Sequence, residues 1–235
     1  MHRQQFNQRR NFLCSIINAF MHIFVQKAYD FNSYNEIYRN GKSVTSFEKK
    51  ILYKFLKSID KNKPKVLDIG CGAGLPYDAF LVENNCILQG IDCSKKQVQH
   101  AKSNVPRANY VNSDFLKYSL VDSYDGVIML YSLFHFHRAY HDEILNKIYN
   151  CLTENGKVLL NVRKENCGLL KFRRNFCGKP MLWSHYDYKT FKEIAQYAGF
   201  KCKYLGDEKD HGSAESHIWL ILEKNTRKFE TWYGS

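Results

Sequence analysis

Short apolar runs alternate with helical segments along the middle of the chain, and this alternation limits the possible folds more than any other feature. The runs VLDI, ILQGI and GVIML are mostly apolar, and their apolar residues fall on both faces of a strand rather than at every second position. Strands with this composition are covered on both faces, as happens when helices connect parallel strands. The sequence therefore predicts an α/β, doubly wound, mostly parallel sheet with helices on both faces.

The end of the chain departs from this alternation. FKCKYLGDE and HIWLILEK are strand-like and are joined by a short polar turn with no helix between them. Two such strands pair antiparallel as a hairpin. With the five strands before them, we expect a seven-stranded sheet that ends in an antiparallel hairpin. Helices are predicted with Ser46 and Ser94 as N-terminal caps, and a further helix is predicted to stop at Gly156.

Length and charge suggest one core with basic appendages. A chain of 235 residues buries one sizeable core. Residues 1–65, 66–162 and 163–235 carry net charges of +9, −2 and +5, which sum to the total of +12. We expect an N-terminal helical arm or lid over 1–45, a core over 46–224 with a cap insertion at about 163–187, and a tail over 225–235. The basic ends would attract an anionic substrate, nucleic acid or a membrane surface, or simply form a solvated exterior.

The eight cysteines are scattered and form no CxxC pair. This pattern indicates neither a zinc knuckle nor a compact disulfide framework, so we expect free thiols, a reducing compartment and a cytoplasmic location.

The N-terminus begins with the basic stretch MHRQQFNQRR and continues into an apolar run that is too short to span a membrane. We predict a helix that packs on the domain or over its active site, and an N-terminal targeting segment is the alternative. The apolar positions at helical spacing are Phe12, Leu13, Ile16, Ile17, Phe20, Ile23 and Phe24.

Three strand ends carry residues suited to a nucleotide. Glycines at 70, 72 and 74 allow a ligand to approach the main chain after the first strand. Asp92 ends the second strand, where a carboxylate accepts from ribose hydroxyls. Asp114 and Phe115 end the third strand and suit an adenine. The turn lacks a phosphate-binding lysine, and a nicotinamide enzyme or a ligand-free turn remain as alternatives.

In these residues the sequence resembles the class I S-adenosylmethionine-dependent methyltransferases, which have a Rossmann-like fold, over roughly residues 30–224. VLDIGCGAG is similar to the first motif of that family, and LYSLFHF to the stretch that lines its methionine and substrate side. The resemblance implies S-adenosyl-L-methionine as cofactor and S-adenosyl-L-homocysteine as product. The cofactor-binding residues that it implies are Asp68, Gly70, Cys71, Gly72, Gly74, Asp92, Cys93, Asp114, Phe115 and Leu130.

The acceptor side gives fewer signals. His135 is the candidate general base, and Tyr131 in the same loop would orient the acceptor or contact the cofactor. The alternative for His135 and Tyr131 is a purely structural role. The alternative for the lid tyrosines is packing in the core, and the alternative for the cap is a basic surface loop that binds no substrate. The substrate-binding candidates are Tyr34 and Tyr38 in the lid, Arg163, Arg173 and Trp183 in the cap, and His217 near the last turn.

The resemblance implies methyl transfer. We expect a small-molecule acceptor, because the chain has little beyond the core and one cap with which to hold a macromolecule, and the cations and aromatics of the cap suit an anionic or aromatic one. We expect a monomer or weak homodimer. An RNA or protein methyltransferase that uses the basic arm and cap is the main alternative, and a cofactor-binding protein without catalysis is the third. Although His211, Glu215 and His217 lie close together in the sequence, we expect no metal.

Overall fold

The computed structural model describes residues 2–31, 34–35, 43–209 and 216–225, and for residues 2–11 and 209 it describes the backbone alone. Four of the predicted features, Tyr38, His211, Glu215 and the tail from 226 onward, lie outside these residues.

Strands and helices alternate as the sequence predicts. The helices are α1 His2–Tyr29, α2 Ser46–Ile59, α3 Tyr77–Glu83, α4 Lys95–Asn104, α5 His141–Cys151 and α6 Tyr188–Tyr197. The strands are β1 Lys65–Ile69, β2 Ile87–Asp92, β3 Asn109–Asn112, β4 Tyr124–Met129, β5 Leu152–Arg163, β6 Lys171–Phe176, β7 Lys179–Trp183, β8 Phe200–Lys209 and β9 Ser216–Lys224. Short 3₁₀ turns at Leu133–His135 and Arg138–Tyr140 connect β4 to α5.

Seven of these strands form one sheet in the order β3-β2-β1-β4-β5-β9-β8. The pairs from β3 to β5 are parallel, whereas β9 runs antiparallel to both β5 and β8. This confirms the predicted Rossmann-like sheet and its terminal hairpin. The strand order reverses beside β1 and β4, and in open α/β sheets ligands bind at such a switch point, beyond the carboxyl ends of the strands.

Both faces of the sheet are buried, which explains the continuous apolar runs. Leu67 of β1 packs on the face covered by α5 and α6, and its neighbour Val66 packs on the face covered by α2, α3 and α4. Successive side chains of a strand point to opposite faces, so such a strand is mostly apolar on both faces, and the polar Asp68 and Gln89 within these runs are also buried.

Two predicted helix boundaries are wrong for local reasons. The cap of α2 is Thr45 rather than Ser46, because Thr45 is extended and its hydroxyl accepts from the Glu48 amide while the Glu48 carboxylate accepts from the Thr45 amide. Helix α5 ends at Cys151, before Gly156, because β5 already begins at Leu152. The Ser94 cap of α4 is confirmed, since its hydroxyl accepts from the Gln97 amide.

The cap insertion folds into a two-stranded antiparallel hairpin, β6–β7, that packs against α1. Val25 and Ala28 of α1 share a small core with Phe134, Met181 and Trp183. The predicted contact face of α1 is therefore wrong: Phe12, Leu13, Ile16, Phe20 and Ile23 are exposed, and the opposite side of the helix meets the domain.

Candidate active site

A cavity lies beyond the carboxyl ends of β1 to β4. Concave sites at the ends of the strands of an α/β sheet are where such folds bind small molecules. The residues after four successive parallel strands form the floor of the cavity, and α1 forms a wall across from them. The floor therefore brings together residues that the sequence spreads over Asp68 to Phe136.

The glycine turn after β1 needs glycine at two positions for different reasons. Gly70 has φ +84°, and a Cβ there would come within 2.4 Å of the Ser132 Cβ. Gly72 has φ +54°, but the nearest atom to its missing Cβ is a Gln97 oxygen at 3.8 Å. Gly70 lets the turn pack on the loop after β4, whereas Gly72 leaves the main chain open to a ligand. Cys71 between them also lines the cavity.

Gly74 differs from the other two glycines and lies outside the cavity lining. A Cβ at Gly74 would lie 2.8 Å from the Tyr110 hydroxyl oxygen, so this glycine lets the turn approach β3. The structure thus corrects the predicted cofactor contact at Gly74, because its missing side chain makes room for protein.

Asp92 joins the glycine turn to the end of β2. Its two carboxylate oxygens accept from the backbone amides of Gly72, at 2.9 Å, and Ser94, at 2.8 Å. Burial raises the pKa of Asp92 to about 6, although these two amides act in the opposite direction. Each carboxylate oxygen has a further lone pair, so Asp92 can still accept from two hydroxyls of a ligand in the cavity.

The other predicted cofactor residues also line the cavity. Asp68 and Leu130 lie at the ends of the two central strands, and Cys93 lies beside Asp92. Asp114 and Phe115 follow β3, and the Asp114 carboxylate lies 3.8 Å from the His22 imidazole of α1.

A second acid beneath the turn was not predicted. Asp78, in the first turn of α3, is fully buried and accepts from the Tyr110 hydroxyl at 2.9 Å. Burial raises the pKa of Asp78 to about 6, while hydrogen bonds with Asp68 and Tyr110 lower it. The turn therefore lies above a buried acid pair, Asp68 and Asp78, that favours cationic groups.

His135 lies in the cavity wall and meets α1. Its Nε2 is 2.7 Å from the Tyr29 hydroxyl oxygen. Burial lowers the pKa of His135 to about 3, against the opposing effect of the Leu182 carbonyl. The imidazole is therefore neutral at physiological pH, and the Tyr29 hydroxyl is a donor to it when Nε2 carries no proton.

Tyr131 also lines the cavity, in a strained backbone conformation with φ +56°. Its amide donates to the Asn161 side chain at 2.7 Å, and its hydroxyl donates to Glu208 at 2.9 Å. Burial and the neighbouring Tyr77 and Glu208 raise the pKa of Tyr131 far above its usual value. Tyr131 therefore stays protonated and is held in place from β5 and β8.

Of the described substrate candidates, Tyr34 lines the cavity and packs edge-on against Tyr29, with ring centroids 4.6 Å apart. The other four do not line it. Arg163 stacks over the Phe134 ring at 5.1 Å, and Arg173 points to solvent from β6. Neither of these cations lines the cavity.

Trp183 and His217 lie behind the cavity wall. Trp183 packs 6.4 Å from the His135 ring, and His217, 1% exposed, packs 4.8 Å from the Tyr131 ring. Both side chains support residues of the wall, so the structure corrects their assignment as direct substrate contacts.

The most important residues missed from the sequence belong to α1. Asn18, His22, Val25 and Tyr29 all line the cavity. Their spacing of four, three and four residues places them on one side of a helix. Three polar side chains at this spacing within an apolar helix are the signal that would have identified the inward face.

Comparisons with known proteins agree with this geometry. Residues 66–156 match a family model described as a methyltransferase domain. A curated relative, carboxy-S-adenosyl-L-methionine synthase of Campylobacter concisus, is 26% identical over 152 residues, which cover 61% of this chain and 61% of that protein. The chain thus matches about three fifths of the length of this relative.

Two solved structures share the fold. One is a DhpI complex with SAH, at 12% identity and a TM-score of 0.65, covering 88% of this chain and 98% of that one. The other is magnesium protoporphyrin IX methyltransferase of Synechocystis PCC 6803 with bound SAM, at 16% identity and a TM-score of 0.61, covering 87% and 97%. At these identities the likeness shows the fold.

Proposed function

The chain carries a methyltransferase domain of the class I, S-adenosylmethionine-dependent type, and on this premise we propose that it transfers a methyl group from S-adenosylmethionine to a small-molecule acceptor. One observation carries the proposal. The open main chain of Gly72, the Asp92 carboxylate and the Asp114–Phe115 pair converge on one cavity, and all of them lie within the matched residues.

The floor of the cavity fits the donor. Asp92 accepts from the two ribose hydroxyls, and the acid pair beneath the glycine turn attracts the ammonium group. Phe115 packs against the adenine, and Asp114 accepts from its amino group. When bound, S-adenosylmethionine supplies an electrophilic methyl group on a cationic sulfur.

The wall of the cavity favours a small acceptor. Tyr29 and Tyr34 cover the cavity opposite the glycine turn, which restricts the space left beside the donor. The basic residues of the cap, which motivated RNA as a substrate, do not line the cavity: Arg163 packs on Phe134, and Arg173 faces solvent. The structural neighbour from Synechocystis acts on magnesium protoporphyrin IX, which is a small molecule.

The pKa values favour positioning over general base catalysis. Protonating His135, with a pKa of about 3, at pH 7 costs about 5 kcal/mol. Tyr131 cannot ionise at this pH either. We therefore assign His135 and Tyr131 to holding the acceptor and the wall in place, with Tyr29 held by His135. The acceptor atom would then be one that attacks through a free lone pair without first losing a proton, such as a carboxylate oxygen or the nitrogen of a neutral amine, whose ammonium product can release any proton to water afterwards.

Turnover tests the proposal directly. The full chain is incubated with methyl-labelled S-adenosylmethionine and a small-molecule cell extract, and the products are identified by mass spectrometry. We expect S-adenosylhomocysteine and a labelled small molecule in equal amounts. Asp92→Ala should reduce both at least tenfold, whereas Asp122→Ala, which removes an exposed acid of the same type, should not.

Three other outcomes would contradict the proposal. Labelled RNA or protein, together with RNA binding that weakens steeply with salt, would indicate the macromolecular alternative. A carboxylated donor would indicate the activity for which the Campylobacter relative is named. Donor binding without any labelled product would indicate a binding protein.

A further inference from the structure

The outer face of α1 is an exposed apolar surface. Five large side chains lie on it, with Phe12 67% and Phe20 58% exposed. At about 100° per residue, all five fall within an arc of about 100° of the helix. A continuous apolar face of this kind exceeds the isolated apolar residues of ordinary protein surfaces and indicates an interaction site. We call it the outer stripe, and it consists of Phe12, Leu13, Ile16, Phe20 and Ile23.

The inner face of α1 is held by the domain. Gln97 donates to the Tyr29 carbonyl at 2.9 Å, and the Ser94 hydroxyl donates to Asp30, directly after the helix, at 2.5 Å. Met21 and Ala28 are buried, and Asn18 and His22 line the cavity. By length and composition alone, Phe12–Tyr29 is sufficient to cross a membrane, so the prediction that the apolar run is too short to do so is wrong. Crossing would pull these contacts apart, so α1 cannot span a bilayer in this fold.

The sequence of α1 is basic. The helix carries Arg3, Arg9, Arg10 and Lys27, and the sequence has no acid before Asp30. At its C-terminal end, Ile23, Phe24 and Lys27 share a groove with Asp30 and with Lys179 of the cap hairpin, whose ammonium lies 4.9 Å from the Phe31 ring. The Asp30 carboxylate accepts from Ser94, and the two lysines leave the groove with a net positive charge. An apolar helix face flanked by cations suits the interface of an anionic bilayer, where apolar side chains enter the acyl boundary and cations meet the headgroups.

We propose that the outer stripe of α1 docks the protein on the surface of an anionic lipid bilayer, with the helix lying in the plane of the interface. The helix then separates the cavity from the lipid by about one helix diameter, roughly 10 Å. We place the chain on the cytoplasmic side, because that leaflet carries the anionic lipids. Docking requires neither donor binding nor turnover, so its test is independent of the proposed function.

Vesicle flotation with the full chain tests this docking. The vesicles are phosphatidylcholine alone, or phosphatidylcholine with about 30% phosphatidylglycerol. We expect binding to the anionic vesicles and at least tenfold weaker binding to the neutral ones. Phe20→Gln/Ile23→Gln should weaken binding at least tenfold. The matched control is Val121→Gln/Tyr197→Gln, which removes two side chains that are 90% and 93% exposed elsewhere on the surface, and it should bind like the unmodified chain.

Equal binding by the Phe20→Gln/Ile23→Gln variant, or no binding by the unmodified chain, would overturn the proposal. A dimer seen in sedimentation and broken by the same variant, without vesicle binding, would assign the stripe to a second copy of the chain. Depth is measured with Phe20→Trp and lipids that carry quenchers at known positions on the acyl chain. Quenching near the headgroups supports an in-plane helix, and quenching at the bilayer centre contradicts it. Circular dichroism of each variant confirms that it is folded.

Discussion

The Asp92 carboxyl should make binding of the proposed donor depend on pH. It already accepts from two backbone amides, and burial raises its pKa to about 6. The protonated form accepts hydrogen bonds less well than the carboxylate, so the site should bind ribose hydroxyls best above this pH.

We therefore predict that affinity for S-adenosylmethionine falls as pH decreases from 7 to 5. With a pKa of about 6, only about a tenth of Asp92 is ionised at pH 5, so the dissociation constant should rise about tenfold. Asp92→Asn should bind at least tenfold more weakly at pH 7. Calorimetry across this range measures both effects. If the Asp92→Asn variant keeps the full pH dependence, another group is responsible for it.

Gly70 gives a second prediction at the level of single atoms. Gly70→Ala combines positive φ with a Cβ that would lie 2.4 Å from the Ser132 Cβ. Gly168→Ala is the matched control, since φ is +75° and nothing lies within 4 Å of its missing Cβ. We expect the control to lose about 1 kcal/mol of unfolding free energy and Gly70→Ala about 2–4 kcal/mol. Denaturant unfolding measures both losses.

Ser132→Gly in the Gly70→Ala background removes the opposing Cβ and should recover part of the difference. The Ser132 hydroxyl also donates to the Ile69 carbonyl, so Ser132→Gly has a cost of its own. The single Ser132→Gly variant is therefore measured as well, which completes a double-mutant cycle. If Gly70→Ala and Gly168→Ala lose the same unfolding free energy, backbone strain alone explains why position 70 is glycine.

These residues also show what a sequence predicts at this level. Gly72 and Asp92 were predicted because strand order brings the ends of β1 and β2 together. Gly74 was assigned to the wrong partner, because glycine spacing does not reveal which side of the turn faces Tyr110. The pKa of His135 could not be predicted either, since its burial depends on contacts from α1 and the cap.

Among the elements, α1 was predicted as a helix but with the wrong face toward the domain. Both faces are rich in apolar residues, and apolar content alone selected the outer stripe. The inner face carries the polar cavity residues Asn18, His22 and Tyr29, and this weakened its apolar signal. The inward face of a helix that forms a cavity wall is therefore predicted correctly only when the polar residues of the helix are considered together with the apolar ones.

The two hairpins show the same limit. The β8–β9 pair was predicted because both segments are strand-like and the sequence between them predicts a short turn rather than a helix. The β6–β7 pair was missed, since most of β6 is exposed and carries no apolar pattern. Its turn places Cys177 and Gly178 at positive φ, a geometry that Asn-Gly or Asp-Gly would have signalled more clearly.

We predict that Asp30 fixes α1 over the cavity. Asp30→Ala removes the acceptor of the Ser94 hydroxyl bond, at the junction between α1 and α4. Amide hydrogen exchange at residues 22–29 should become faster, and donor affinity should fall several-fold because Tyr29 is less well held. The control Asp122→Ala removes an acid that pairs only with Lys65 at the surface among the described residues, and it should change neither property. Unchanged exchange in Asp30→Ala would show that the inner-face packing alone holds the helix.

Across the whole molecule, the proposed donor half and the proposed acceptor half of the cavity have different origins. The residues proposed to bind the donor come from consecutive strand ends within residues 66–156, so one sheet topology fixes them all. The wall proposed to face the acceptor combines α1 with support from β7, which are more than a hundred residues apart in sequence. Sequence patterns predict the arrangement of the strand ends, because neighbouring strands of such a sheet meet in a known order. They do not predict that α1 packs against β7.

Calorimetry with S-adenosylmethionine and NAD is the most direct measurement of what this cavity binds. We predict saturable binding of one S-adenosylmethionine per chain, no saturable binding of NAD, and at least tenfold weaker binding in Asp92→Ala but not in Asp122→Ala. The absence of saturable S-adenosylmethionine binding, or equal affinity in Asp92→Ala and the unmodified chain, would contradict the assignment of this cavity to the methyl donor.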